Sequence, residues 1–348
     1  MRGADRLESG EVIYAPASLV PGHFRIMQKA ASSCRVRAPG HARFERESSK
    51  SERRPIFVDH ETPPAVIVLD AMKRCLAEVD AHVEGVRAGK DAEALHGLRV
   101  SIRRFRTAAK IGREVGLPKF SGNVRVDLER LWALLGRKRD LDVLVGQTWP
   151  AVARLGEESP ATRRFERAAR RSCTKCQDEV RRALGGQRFR ALMLALHGFI
   201  TENPDEAAPR STRRELSKIA KRVLGGRADK VRRHAKSANR LGTKALHALR
   251  IEVKKLRYPA EFFASSDKAR GSKRYLKRVV AVQTALGRLN DLAVSKQLCV
   301  QIGDGLRPAD AAIVRELWQR HDEETQPRRR RELSKALRKL RDTAPFWS

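Results

Sequence analysis

From about residue 62 to the end of the chain, apolar positions recur at helical spacing, and no stretch alternates as a strand would. The pattern predicts an all-α protein. Pro63 and Pro64 suit a helix start. Helices are expected near 65–87, 92–114, 121–136, 140–155, 160–185 and 187–201, then near 211–224, 227–241, 243–264, 271–287, 290–302, 308–323 and 328–342. Leu135-Gly136 and Leu286-Gly287 read as helix ends, with glycine in the left-handed conformation. Asp140 and Asp291 would then cap the following helices or, on a second reading, hold nearby arginines in place. Pro204 and Pro209 mark a boundary between a first bundle, 62–205, and a second, 210–348. Residues 1–61 carry four prolines and no lasting period, which predicts a disordered extension.

Within this pattern one stretch is used twice. Leu95, His96, Leu98, Arg99, Ile102, Arg103, Phe105 and Arg106 return as Leu246, His247, Leu249, Arg250, Val253, Lys254, Leu256 and Arg257. Leu135, Gly136, Arg137 and Asp140 return as Leu286, Gly287, Arg288 and Asp291, and both pairs stand 151 residues apart (247 − 96 and 287 − 136). On a helical wheel, His96, Arg99, Arg103 and Arg106 share an arc of about 80°, beside an apolar arc formed by Leu95, Leu98, Ile102 and Phe105. His247, Arg250, Lys254 and Arg257 repeat that arc, whereas Arg104 and Lys255 fall off it, toward its edge.

A solvated helix face usually mixes signs. Here Arg99 with Arg103 and Arg103 with Arg106 are like-charge neighbours, each pair costing about 0.2–0.5 kcal/mol. Glu252, the one acid in the second stretch, lies across the helix from the stripe. Two uncompensated cationic stripes, each headed by a histidine, point to an anion site. The histidines read as pH-dependent contacts, structural residues or phosphate acceptors.

Charge supports a polyanionic partner. The 348 residues hold 74 Lys plus Arg against 41 Asp plus Glu, a net charge of +33. Aromatics are 5%, few for stacking single-stranded bases, but duplex backbones need none. No run approaches the length of a membrane span. Five scattered cysteines fit a reducing, cytoplasmic setting. Cys173 and Cys176 have metal-ligand spacing without a second ligand pair, so no metal is expected. Phosphate-binding loops, zinc-protease motifs and nucleophile elbows are absent, and the stripes hold no paired carboxylates for magnesium. The expectation is a binding protein that is not an enzyme and uses no cofactor.

The His96, Arg99, Arg103, Arg104, Arg106 stretch resembles the motif of the CHAD family, the conserved-histidine α-helical domain. So do Leu135-Gly136, the Arg-Asp-Leu-Asp-Val-Leu run at 139–144, Lys255-Leu256-Arg257-Tyr258 and Pro345-Phe346-Trp347. The resemblance covers about 62–348. It implies two consecutive four-helix-type bundles related by a pseudo-twofold axis, a basic central groove, and binding of inorganic polyphosphate, with a place at polyphosphate granules. The implied contacts are His96, Arg99, Arg103, Arg104, Arg106, His247, Arg250, Lys254, Lys255 and Arg257. The triphosphate-processing CYTH barrel that accompanies this domain in some proteins is not expected, because Glu45-Arg46-Glu47 lacks the Lys of its opening motif.

The alternative is nonspecific binding of nucleic-acid backbones, with residues 328–331 as the strongest basic run. Two finer expectations follow. Pro259 should kink the second stripe helix and redirect Arg257 and Tyr258, since it removes the hydrogen bond to Lys255. Neighbouring cations should depress both histidines, so that binding strengthens from pH 8 to 6.

Overall fold

A computed structural model describes residues 63–89, 92–156, 159–202, 213–235, 242–265 and 270–347. The expectations for residues 1–61 and for the boundary at 203–209 lie outside the described residues. Every regular element among the described residues is helical. In chain order they are α1 (Pro64–Ala88), α2 (Ala92–Glu114), α3 (Gly122–Val143), a π-helical turn (Leu144–Thr148), α4 (Trp149–Ala153), α5 (Pro160–Gly185) and α6 (Gln187–Thr201). Then come α7 (Arg213–Ala235), α8 (Thr243–Ser265), α9 (Arg270–Gly303) and α10 (Pro308–Arg341).

Local chemistry sets several ends. Pro64 opens α1, and Gly89, at φ 69°, closes it. Ser159 and Thr162 form a capping box at the start of α5. The π turn runs into Trp149-Pro150; Pro150 has no N–H for the Gly146 carbonyl, so the helix widens there.

Four expected breaks are absent. Helix α3 passes through Gly136, α7 through Gly225 and Gly226, α9 through Gly287, and α10 through Pro327. A mid-helix glycine costs about 1 kcal/mol, but Leu135, Leu224 and Leu286 beside these glycines are fully buried, and such burial contributes roughly 1.5–3 kcal/mol each. Packing outweighs propensity. Gly136 and Gly287 therefore close no helix, and Asp140 and Asp291, lying inside α3 and α9, cap none.

The main core gathers the apolar stripes of α2 and α8 with residues from α1, α3, α6, α7, α9 and α10. A second core joins Leu144, Trp149, Val152 and Phe165 to Leu292, Val314, Leu317 and Trp318. Beside it, Arg164 of α5 grips the buried Asp310 of α10 through two 2.7 Å hydrogen bonds. With α2 packed on α8 and α3 on α9, one continuous structure carries both stripes.

Candidate functional site

Leu95, Leu98, Ile102 and Phe105, like Leu246, Leu249, Val253 and Leu256, are buried. Their anchoring fixes the rotation of α2 and α8 and turns the adjoining basic stripes toward each other. The Arg103 guanidinium of α2 lies 4.4 Å over the Tyr258 ring of α8, and Arg257 shares that ring at 5.8 Å. Arg99 and Arg106 both lie over Trp132 of α3, at 4.6 and 5.5 Å. Each aromatic ring thus braces two arginines whose charges repel, the kind of contact worth about 0.5–2 kcal/mol.

Asp140 and Asp291 sit among these cations, where each feels Arg99 or Lys254 together with Arg139 and Arg250. Burial pushes both carboxyls up despite those charges, and Asp291 raises Asp140 further. Gly136 leaves room for the site: a Cβ there would stand 3.4 Å from Nη1 of Arg99. Four polar atoms in this region are buried without a hydrogen-bond partner among the described residues: Nη1 of Arg99, Nε of Arg103, Nε of Arg250 and Oη of Tyr258.

The expected residues divide into three groups. Arg99, Arg103, Arg106, Arg250, Lys254 and Arg257 converge with His96, although Arg257 also donates to Glu261 at 2.8 Å. Arg104 and Lys255 lie off the stripe and are held by Glu78 at 3.5 Å and Glu252 at 3.3 Å. His247 is exposed near the start of α8, whereas His96 is half-buried. Burial, followed by Arg139, Arg103, Arg99 and Arg257, pushes His96 down to about 4. The imidazole is therefore neutral throughout the pH 6–8 range in which it was expected to act. Lys254 takes that place: burial, then Arg250, Arg103 and Arg99, bring it down to about 7 against the pull of Asp291.

Pro259 does not end α8, which continues to Ser265. The carbonyl of Lys255, four residues back, receives Nη1 of Arg227 from α7 at 2.8 Å. Tyr258 still meets the opposite helix, and it is Arg257 that turns to Glu261.

The sequence reading missed Arg139, the two aromatic braces, Arg227 and Lys110. Lys110 was within reach, because the same wheel carried one turn further places it at about 320°, on the stripe. Arg106, Arg227, Lys255 and Arg113 all act on it, so positive charge continues toward the end of α2. The run at 328–331 is not one free face: Arg328 reaches Glu332 at 3.5 Å, and Arg329 donates to the Arg288 carbonyl at 2.6 Å. Cys173 donates to Asp142 beside Lys138, and Cys176 is buried. Among the described residues no cluster of three or more His, Cys, Asp or Glu side chains could hold a metal, and no helix is long and apolar enough to cross a membrane.

This helical fold, with facing basic helices, is that of a known family. The CHAD domain family matches residues 70–300, more than half the chain, and the chain belongs to that family. The crystal structure of the CHAD domain from the plant Ricinus communis superimposes with a TM-score of 0.71 at 22% identity, covering 86% of this chain and 97% of that one. PptA from Streptomyces chartreusis does so at 0.54 and 17% identity, covering 81% and 99%. At these identities the likeness is one of fold. Two uncharacterized proteins from strains of Mycobacterium tuberculosis are 28% identical over 291 residues, 80% of this chain and 54% of theirs, so the chain spans about half the length of these curated relatives.

Proposed function

We propose that the protein binds inorganic polyphosphate, without catalysis, along the basic surface where α2 faces α8. The observation that carries this reading is the set of buried donors on Arg99, Arg103, Arg250 and Tyr258 that have no protein partner among the described residues. An unmade hydrogen bond at a buried donor costs about 1–3 kcal/mol, more when the group is charged. A chain of phosphate oxygens would satisfy these donors and offset the repulsion among the arginines, with guanidinium forks binding phosphates by paired contacts. Membership of a family known for polyphosphate binding supports the same ligand.

Arg99, Arg103 and Arg250 would make the central contacts, Lys254 a point-charge contact, and Arg106 and Arg139 the flanking ones. Asp140 and Asp291 would hold Arg99 and Arg250 in position. Attachment to polyphosphate granules would follow from affinity for the polymer. The test is affinity for long-chain polyphosphate at physiological salt with excess duplex DNA and RNA present. Retained tight binding that falls roughly a hundredfold in the Arg99→Glu, Arg250→Glu double variant is expected. Displacement by either nucleic acid, or a small loss in that variant, would instead favour diffuse binding of nucleic-acid backbones.

A further inference from the structure

A groove along α7 is lined by none of the stripe residues. In the first half α6 lies over α1, α3 and α5, and its Phe189, Leu192, Met193 and Leu196 meet apolar side chains of α1, α2 and α3. The 151-residue correspondence carries α1, α3 and α5 onto stretches of α7, α9 and α10. It carries the start of α6 onto Arg338, where α10 continues only to Arg341 before the chain turns. Phe346 and Trp347 pack against Tyr275, with ring centroids 6.1 and 4.8 Å away. Beside them a groove of about 1600 Å³ remains, lined by α7, by Tyr275 of α9, by the last four turns of α10 and by residues 342–345.

The lining has two parts. Ala228, Val231, Ala235, Leu337 and Leu340 supply an apolar floor, while Arg232, Arg330, Arg331, Lys335, Arg338 and Arg341 supply cations. Asp342 is the one carboxylate among the lining residues. The volume exceeds the roughly 300–1,000 Å³ of a small-molecule pocket. Three turns of helix, about 10 Å across and 16 Å long, occupy roughly 1,300 Å³.

We infer that this groove is a docking site for an acidic amphipathic helix of a partner protein. A helix is the occupant because three turns of one match the groove's volume and an amphipathic helix sets an apolar stripe beside a charged one, as this lining does. It is amphipathic because the floor is apolar, and a bare phosphate chain has no apolar face to lay there. It is acidic because cations dominate the lining: besides Arg232 and Arg341, which pair with Asp229 and Asp342, it carries Arg331, Lys335 and Arg338, so complementary charge would steer it in and fix its direction. The site does not depend on the polyphosphate reading, since Arg99, Arg103 and Arg250 do not line it.

The probe is a fluorescent synthetic peptide of about 16 residues, with Leu and Ala on one helical face and Glu on the other, titrated into the full-length protein at physiological salt. A peptide of identical composition, scrambled to lose the helical period, is the control. The amphipathic peptide should bind about tenfold more tightly than the scrambled one. The exposed Lys335→Glu, Arg338→Glu pair should weaken it about tenfold while leaving polyphosphate affinity and the thermal midpoint unchanged. A photoreactive version should label α7 and α10. Equal binding of the scrambled peptide, indifference to the double charge reversal, or labelling on α2 and α8 would overturn the inference. So would displacement of the peptide by polyphosphate from protein already carrying Arg99→Glu and Arg250→Glu, which would show that the groove takes bare phosphate.

Discussion

His96 and His247 occupy the fifth position of two 23-residue helices, α2 and α8, yet one is half-buried and the other exposed. Neighbouring helices make the difference. The residue after His96 is Gly97, where a Cβ would stand 2.3 Å from the His82 ring, so α2 is drawn tightly onto α1. The residue after His247 is Ala248. Further along, Arg103 has its Nε buried without a partner, while its counterpart Lys254 has been brought down to about 7; Arg106 lies over Trp132, while its counterpart Arg257 donates to Glu261. The α2 stripe is thus built of arginines that stay charged through neutrality, although burial pulls all three down, Arg99 to about 10. The α8 stripe contains one group that titrates near neutrality and one whose charge is already met by a carboxylate.

If that asymmetry governs binding, equivalent arginines will not be equivalent in a titration with polyphosphate. Arg103→Glu should weaken affinity roughly a hundredfold, because a buried unpaired donor becomes a buried anion. Arg257→Glu should cost about tenfold, since Glu261 already screens the wild-type charge. Glu261→Gln should act in the opposite direction and tighten binding a few-fold. Equal losses at Arg103 and Arg257 would mean that the groove senses only total charge, and the contrast between the stripes would have no functional content.

The pH profile sharpens the comparison. Bound polyanion favours the ammonium form of Lys254, so its pKa rises on binding and a proton is taken up. Affinity should be highest and flat below pH 7, then fall about tenfold as pH rises from 7 to 9. Lys254→Arg should flatten that profile, whereas His96→Ala should leave it intact, because His96 titrates near 4. In the free protein the sign reverses: with Lys254 depressed below its unfolded value, the unfolded chain binds more protons between the two, and this group's contribution to stability grows as pH rises from about 7 to 10. A binding profile that tracked His96 instead would return the titrating role to the histidine.

Much of this was legible in the sequence, and the residues show where legibility ended. Period and caps define a helix locally, so α2, α5 and α6 begin and end at the expected residues, 92–114, 160–185 and 187–201. The stripe residues were found because the wheel separates them from Leu98, Ile102 and Phe105 on the same helix. Reading glycine as a stop failed at Gly136 and Gly287, where burial of the neighbouring leucine carries the helix onward. Contacts between helices had no local signal. No spacing along the chain announces that Arg103 meets Tyr258 or that Arg139 joins Arg99 around His96, whereas the pair of Arg257 with Glu261, four residues apart on α8, was open to sequence reasoning and was overlooked. Those pairings decide which cations are free to bind, and the ones between helices depend on the crossing of α2 with α8 and α3 with α9.

The smallest expected effect concerns a proline in one stripe helix, Pro259, where the other has Ala108. Proline leaves the Lys255 carbonyl without its helical N–H, and Arg227 of α7 supplies a donor at 2.8 Å. Arg227→Ala should therefore lower unfolding free energy by about 1–2 kcal/mol, because a half-buried carbonyl loses a charge-assisted bond. Pro259→Ala returns the N–H to the helix and makes Arg227 redundant, so Arg227→Ala in that background should cost only a few tenths of a kcal/mol. A double-mutant cycle by urea denaturation reads the coupling directly. A coupling near zero would show that Arg227 serves α8 only through its charge, whereas the expected value makes the cation of α7 the device by which the second stripe tolerates a proline that the first does not contain.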